Sequence, residues 1–331
     1  MIPSSRAQPV TRREFLIRSA KAGASVAAVG GLSLWLYDSQ ALQLSQEKAR
    51  LVTLPDFSIP SRGGQMSIVT GEDRVKTVQR ALKTLGGMDA FIRPGDRVLL
   101  KVNAAFATPP ILSATANPEL VGEVARLCFK AGASSVTMTD NPINDPVSCF
   151  TLTGLAQAAH AVGAQVVTPK ESYFKPTTLR GGTLIKHWPL LYKPFEDVDK
   201  LIGIAPVKDH HRSGASMTMK NWYGLLGGRR NLFHQDIHNI IKELAMMVSP
   251  TLVILDGTVT MMTNGPTGGS LADLKRTNTM IVSTDQVAAD AFGATLLGKT
   301  ASDLPHIAKA QAEGVGQSDY ESLTPLRDHV G

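Results

Sequence analysis

The chain has 331 residues, 43% hydrophobic and 19% charged, with a formal net charge of +6. Of that charge, +3 lies in Met1 to Ala41, where five Arg and Lys face two acids, Glu14 and Asp38; the remainder is a mildly cationic globular body, which with few aromatics and no basic run does not have the make-up of a nucleic-acid binder. Two cysteines, Cys128 and Cys149, exclude a four-cysteine zinc site or iron–sulfur cluster within this chain.

The first forty residues carry the clearest signal. Arg12 and Arg13 stand in Thr-Arg-Arg-Glu-Phe-Leu-Ile, ahead of an uncharged, Gly/Ala-rich run from Ala22 to Tyr37. Ser39-Gln-Ala41 then offers small residues where a signal peptidase reads them. A cationic start, a weakly apolar middle and a small-residue exit read as a twin-arginine signal over residues 1–41. The expected partner is the twin-arginine translocase, and the expected location is periplasmic or otherwise exported. An uncleaved signal would serve as a membrane anchor, although a spanning helix needs about 20 apolar residues and this run is shorter.

Residues 42–66 are polar and punctuated by Pro55, Pro60, Gly63 and Gly64, so they read as a linker or surface strap before a single domain over 67–331. There, strand and helix patterns alternate. Strands are expected at Ser67–Thr70, Arg97–Val102, Ser135–Thr139, Gln165–Thr168, Leu201–Ala205, Leu252–Leu255 and Thr279–Val282. Helices are expected at Asp73–Leu85, Asn117–Lys130, Leu152–Val162, Leu232–Met247, Val287–Leu297 and Leu304–Glu313. Asn117 before Pro118 makes a strong helix start, and Cys128 falls on that helix's apolar stripe, which favours buried thiols over a disulfide. The alternation specifies an α/β fold, with a mainly parallel or mixed sheet and helices on both faces.

Ligands of open α/β sheets gather beyond the carboxyl ends of strands. Five expected strands end in polar residues: Lys101 and Asn103, Asp140 and Asn141, Lys208 to His211, Asp256, and Ser283 to Asp285. The densest group is Val207-Lys-Asp-His-His-Arg-Ser-Gly214, followed by Met219-Lys-Asn-Trp-Tyr-Gly224. Lys208 and Lys220 suit a carboxylate or phosphate, and His210 or His211 suits proton transfer beside it. His234 and His238, four apart, would share a helix face and hold a divalent metal with help from a nearby loop. Asn264-Gly265-Pro-Thr-Gly-Gly269 after Asp256-Gly257 is a glycine-rich loop whose N–H groups would cradle an anion. No Walker loop, dinucleotide fingerprint or serine elbow is present.

These residues, as an ordered set, resemble the uncharacterised family catalogued as domain of unknown function 362. The resemblance rests on Lys101-Val-Asn103, Thr139-Asp-Asn-Pro142, Lys208-Asp-His-His211, Met219-Lys-Asn-Trp-Tyr-Gly224, His234, Asp256-Gly257 with Gly265-Pro-Thr-Gly268, and Asp285-Gln-Val-Ala-Ala-Asp290, spanning about residues 67 to 315. Val102 and Met219 replace the family's usual Pro and Leu without removing a reactive group. Some relatives resemble ferredoxin fusions; this chain has no such segment. The resemblance implies a fold and a site map, not a reaction. The spacing of His211, Ser213-Gly214 and Lys220 is also similar to that of the nickel-pincer lactate racemase family, which implies metal-assisted acid/base chemistry.

The sequence therefore supports an exported enzyme acting on a small anionic ligand, with a metal or redox cofactor within its range. Lys208 and Lys220 would bind the anion, His210 or His211 would move a proton, and Lys101, Asn103, Asp140, Asn221, Asn264 and Gly265 would line the cleft. Asp256, Asp285 and Asp290 would orient these groups or bind a cation. The alternative is a non-catalytic binding or maturation factor for a periplasmic redox complex.

Overall fold

The computed structural model describes residues 12–35 and 51–331. They fall in two units, divided between residues 49 and 50. In the first, α1 (Arg12–Trp35) starts at the arginine pair. The residues before Arg12, the Ser39 to Ala41 exit and strap residues 42–50 lie outside the described residues. No described helix is long and apolar enough to cross a membrane.

The second unit is built on strands β1 (Met66–Thr70), β2 (Arg97–Lys101), β3 (Ser135–Thr139), β4 (Gln165–Val167), β5 (Phe174–Thr177), β6 (Trp188–Leu191), β7 (Lys200–Lys208), β8 (Leu252–Met261), β9 (Leu274–Ser283) and β10 (Leu326–His329). Eight of them form one sheet in the order β10-β1-β9-β8-β7-β2-β3-β4, and β5 and β6 make a separate antiparallel pair. Side chains alternate across a strand, so both faces of the sheet need cover. On β7, Leu201, Ala205 and Val207 join one core, and Ile202 and Ile204 join the other.

Helices α2 (Arg74–Thr84), α3 (Pro118–Lys130), α4 (Pro146–Leu152) and α5 (Leu155–Ala161) supply the second core through Val78, Leu120, Phe150 and Leu155. Helices α6 (Thr218–Asn221), α7 (Ile237–Met247), α8 (Gln286–Leu296) and α9 (Pro305–Ala312) supply the first through Met219, Ile240, Val287 and Ile307. The fold is thus α/β, with a mostly parallel mixed sheet and helices on both faces. Asn117 caps α3 by accepting from the N–H groups of Glu119 (3.0 Å) and Leu120 (3.4 Å), with Pro118 at the first helical position. From residue 51 onward the strap lies on the body, with Leu54 and Phe57 buried and the Phe57 N–H donating to the Ser249 carbonyl at 3.0 Å.

Three expectations change. The helix expected at Leu152–Val162 begins only at Leu155, because Leu152 ends α4 and Gly154 turns the chain with φ +73° before α5. The helix expected from Leu232 begins as a 3₁₀ turn, Arg230–Asp236, and becomes α-helical only at Ile237. The third change bears on the site: β9 runs antiparallel to both β8 and β1, the one such strand in this sheet among the described residues. Its carboxyl end therefore leaves at the edge opposite to those of β2, β3 and β7. Cys128 and Cys149 are free, buried thiols, pushed up to about 12 and about 11 chiefly by burial.

Candidate functional site

Beyond the carboxyl ends of β2, β3 and β7 lies a cavity of about 820 Å³. Its floor is an ion pair. Lys101 Nζ, fully buried, sits 2.8 Å from Asp140 Oδ1 and also donates to the carbonyls of Val102 (2.8 Å) and Asn221 (2.9 Å) and to Asn221 Oδ1 (3.1 Å). Burial outweighs the pull of Asp140 and lowers the Lys101 ammonium. The Asn221 amide in turn donates to the carbonyls of Lys101 (3.1 Å) and Ile204 (3.2 Å), fixing α6 across β2 and β7.

Two glycines let this layer close. A Cβ on Gly224 would fall 1.9 Å from Asp140 Oδ1, and one on Gly203 would fall 2.6 Å from the buried Trp222 ring. Asp290 holds the start of α6 from the other side, accepting from Thr218 N (2.7 Å), Thr218 Oγ1 (2.5 Å) and Met219 N (3.1 Å). Burial pushes its carboxyl up to about 7.

Above the floor stand three imidazoles. His210 lies between His211 and His234, with ring centroids 5.0 Å and 6.0 Å away and planes within 15°. Their hydrogen bonds give them different roles. His210 Nδ1 accepts the backbone N–H groups of Arg212 (3.2 Å) and Ser213 (3.3 Å), so its proton is on Nε2. Burial, reinforced by Lys220, pushes His210 down to about 2, which keeps it a neutral donor. His211 is the opposite: Nδ1 donates to the Gly265 carbonyl at 3.2 Å and leaves Nε2 as a bare acceptor. His234 resembles His211, because Tyr223 gives its phenolic proton to the Arg230 carbonyl. His234 Nδ1 must then donate to the Tyr223 oxygen (3.1 Å) and the Asn231 carbonyl (3.3 Å). Burial and the Lys220 charge lower His234 as well.

The cations are less well matched. Lys208, Arg212, Lys220 and Arg230 line the cavity, and Asp140, the single carboxylate among its described lining residues, is engaged by Lys101. Arg230 donates only to carbonyls, those of Tyr223, Leu226, Asn141 and Pro142. Lys220 lies 5.1 Å over the Tyr223 ring, with no hydrogen bond or ion pair from its ammonium among the described residues, and burial followed by Arg230 pushes it down to about 8. Asn103 Oδ1, buried at the same wall, also lacks a partner among the described residues.

Of the residues expected from sequence, Asn103, Asp140, Lys208, His210, His211, Lys220, Asn221, His234, Asn264 and Gly265 line this one cavity, with Lys101 directly beneath. Four others do not. Asp256 lies within β8, which continues to Met261, and pairs with Arg74 at 2.8 Å. Asp285 follows the reversed β9 and caps α8 by accepting from Val287 N (2.8 Å) and Ala288 N (2.9 Å). Asp290 is spent on α6. His238 is separated from His234 by the change from 3₁₀ to α geometry and meets His306 instead, at 3.2 Å.

Two N–H groups of the glycine-rich loop are engaged within the protein. The Gly265 N–H goes to Asp209 (3.1 Å) and the Gly268 N–H to the Asn264 carbonyl (2.9 Å), and the Gly265 carbonyl orients His211. Among the described residues no group of three or more His, Cys, Asp or Glu side chains is arranged to hold a metal ion. Sequence reading missed Arg230 and Phe106, and gave Tyr223 no role although its motif was singled out. The first follows the Gly227-Gly228 pair as the second of two arginines, a usable signal; a lone Phe in a long loop carries none.

Known proteins resemble this chain to different degrees. A thylakoid-associated protein of Synechocystis sp. is 26% identical over 259 residues, covering 76% of this chain and 78% of its own length. Among solved structures, the lactate racemase apoprotein of Thermoanaerobacterium thermosaccharolyticum is 15% identical with a TM-score of 0.37, covering 71% of this chain and 57% of that one. A Thermotoga maritima protein is 10% identical with a TM-score of 0.34, covering 58% and 52%. The chain spans a little over half the length of each solved structure. The model of one family matches residues 98–295, which include the floor, the imidazoles and every lining cation, and the chain accordingly belongs to the family described as Domain of unknown function (DUF362).

Proposed function

We propose that the cavity binds a small anionic substrate, a carboxylate or phosphate, and carries out acid/base chemistry on it. The observation that supports this reading most is the imbalance of charge: Lys220 and Arg230, both half-buried, line a cavity whose single described carboxylate is already paired, and exposed Arg212 adds a third cation. Desolvated cations without counterions are costly to keep unless a ligand supplies the charge. Lys220 and Arg230 would hold the anion, and Asn103 Oδ1 would accept from a hydroxyl or amine beside it. His210 Nε2–H would donate to an oxygen gaining charge, and His211 Nε2 would take the proton. Asp290 acts on these groups only by positioning α6.

Lys220→Met removes the charge and keeps much of the stem. It is expected to weaken binding of the preferred anion about 10-fold or more, given the usual strength of a hydrogen bond to a charged group. Isothermal titration calorimetry against a panel of small carboxylates and phosphates measures this. Unchanged affinity in the variant would remove Lys220 from the site, and silence across the whole panel would end the reading.

The arginine pair at the start of α1 supports export through the twin-arginine translocase. Replacing both Arg12 and Arg13 with Lys is expected to leave the precursor in the cytoplasm, as followed by cell fractionation; normal export of the double variant would reject that route. The Synechocystis relative is associated with thylakoids, which fits a protein that works against a membrane compartment.

A further inference from the structure

Two buried lysines of this unit have opposite surroundings. Lys101 has four oxygen partners, more than its three N–H groups can use, and one of them is a carboxylate. Lys208, only 1% exposed, has one among the described residues: its Nζ donates to the Ala114 carbonyl at 2.5 Å. Around it is apolar surface. Phe106, 5.1 Å from Nζ to ring centroid, joins Ala114 and Met261 in a small cluster of its own, and Met261 lies opposite Lys208 in the β7–β8 register. The charged groups that face Lys208 are Lys220 from α6, Lys101 from β2 and Asp140 after β3, and Asp140 is held by Lys101. An amine fixed at one hydrogen, lacking a counterion and set beside a second cation is the arrangement that makes a lysine nucleophilic.

We propose that Lys208 forms an imine with substrates that carry a carbonyl carbon next to their anionic group, the 2-oxo carboxylates being the simplest class. The inference rests on the anion-binding reading, since Lys220 and Arg230 would hold the carboxylate. Burial, then the charge of Lys220, pushes the Lys208 ammonium down to about 7, so the free amine is abundant at neutral pH. Its lone pair attacks the carbonyl carbon and forms a C–N bond, while the C=O π pair moves to oxygen, which is protonated. The carbinolamine loses that oxygen as water. Over the two steps one amine, one carbonyl and one proton give one protonated imine and one water. His210 Nε2–H is the donor nearest in role to the oxygen that departs.

The test uses the full chain with glyoxylate as the probe, glycolate as its alcohol counterpart, and cyanoborohydride to reduce any imine to a stable amine. Peptide mass spectrometry then locates the adduct. At pH 7, Lys208 is expected to be labelled about 100-fold faster than exposed lysines, whose free-amine fraction is far smaller, and excess glycolate is expected to suppress it. No selective adduct on Lys208, while calorimetry shows glyoxylate and glycolate binding, overturns the imine and leaves the anion site standing. Absence of both adduct and binding overturns both. Selective labelling that glycolate does not slow supports the imine and places the anion elsewhere. Because the site is mapped on the unaltered chain, no variant has to fold.

Discussion

His211→Gln is expected to lower turnover about 100-fold or more while leaving anion affinity within about 3-fold, the loss typical of removing a positioned general base. The reason is tautomeric. Gly265 fixes the His211 proton on Nδ1, so the bare Nε2 is the atom able to accept, and a Gln amide cannot replace its basicity. His210→Gln should also slow the reaction, because the Gln amide is not held in the place where the Arg212 and Ser213 N–H groups fix the His210 ring, but with a different signature. His210 stays neutral across the physiological range, so it contributes no acid limb to a pH–rate profile. Any fall in rate toward low pH belongs to another group and should persist in His210→Gln. The measurements are steady-state turnover from pH 5 to 9, on a substrate drawn from the anion panel, for both variants. Full turnover in His211→Gln would assign the base elsewhere, with His234 Nε2 next in line.

Gly224→Ala is expected to cost about 3–5 kcal/mol of stability, comparable to breaking a buried ion pair. The methyl would fall 1.9 Å from Asp140 Oδ1 and 2.9 Å from Lys101 Nζ. Neither partner can retreat easily, since Asp140 Oδ2 also accepts the Ala104 N–H at 2.7 Å and Lys101 is held by Asn221. Moving Asp140 would also shift the Asn103 to Phe106 loop, so surviving protein should bind anions poorly. Urea denaturation of the variant and the parent chain gives the difference. A cost below about 1 kcal/mol would mean that the floor yields more readily than its hydrogen bonds imply.

The legible parts of this fold were those set by short-range rules. Asn117-Pro118 announced α3, and the apolar runs near Leu99, Val136 and Leu201 announced strands whose carboxyl ends do meet. Lys208, His210, Lys220 and Asn221 could be assembled because α6 follows β7 closely in the chain. Strand direction was not legible. A buried strand reads the same in either sense, so nothing in Thr279–Val282 revealed that β9 is reversed, and Asp285 was placed at the wrong edge. The His234–His238 spacing misled for a related reason, since a four-residue interval aligns side chains only where the helix is α throughout. The distinction between the two central imidazoles was also out of reach. It depends on which carbonyl or N–H lies within about 3 Å of each Nδ1, and Gly265 is 54 residues from His211.

The long β8–β9 arms have a consequence for how such a site diversifies. Their pairing continues past the irregularity at Gly257 to Met261 and Leu274, which carries the turn containing Asn264 to Thr267 up to the cavity wall. The cations and the Lys101–Asp140 floor come from other elements. A hairpin tip can gain or lose residues while its arms stay paired, so length changes between Met262 and Asp273 would reshape the entrance and retune the His211 base without disturbing charge recognition. Substrate range and anion affinity are in this way carried on separate pieces of chain, free to drift independently.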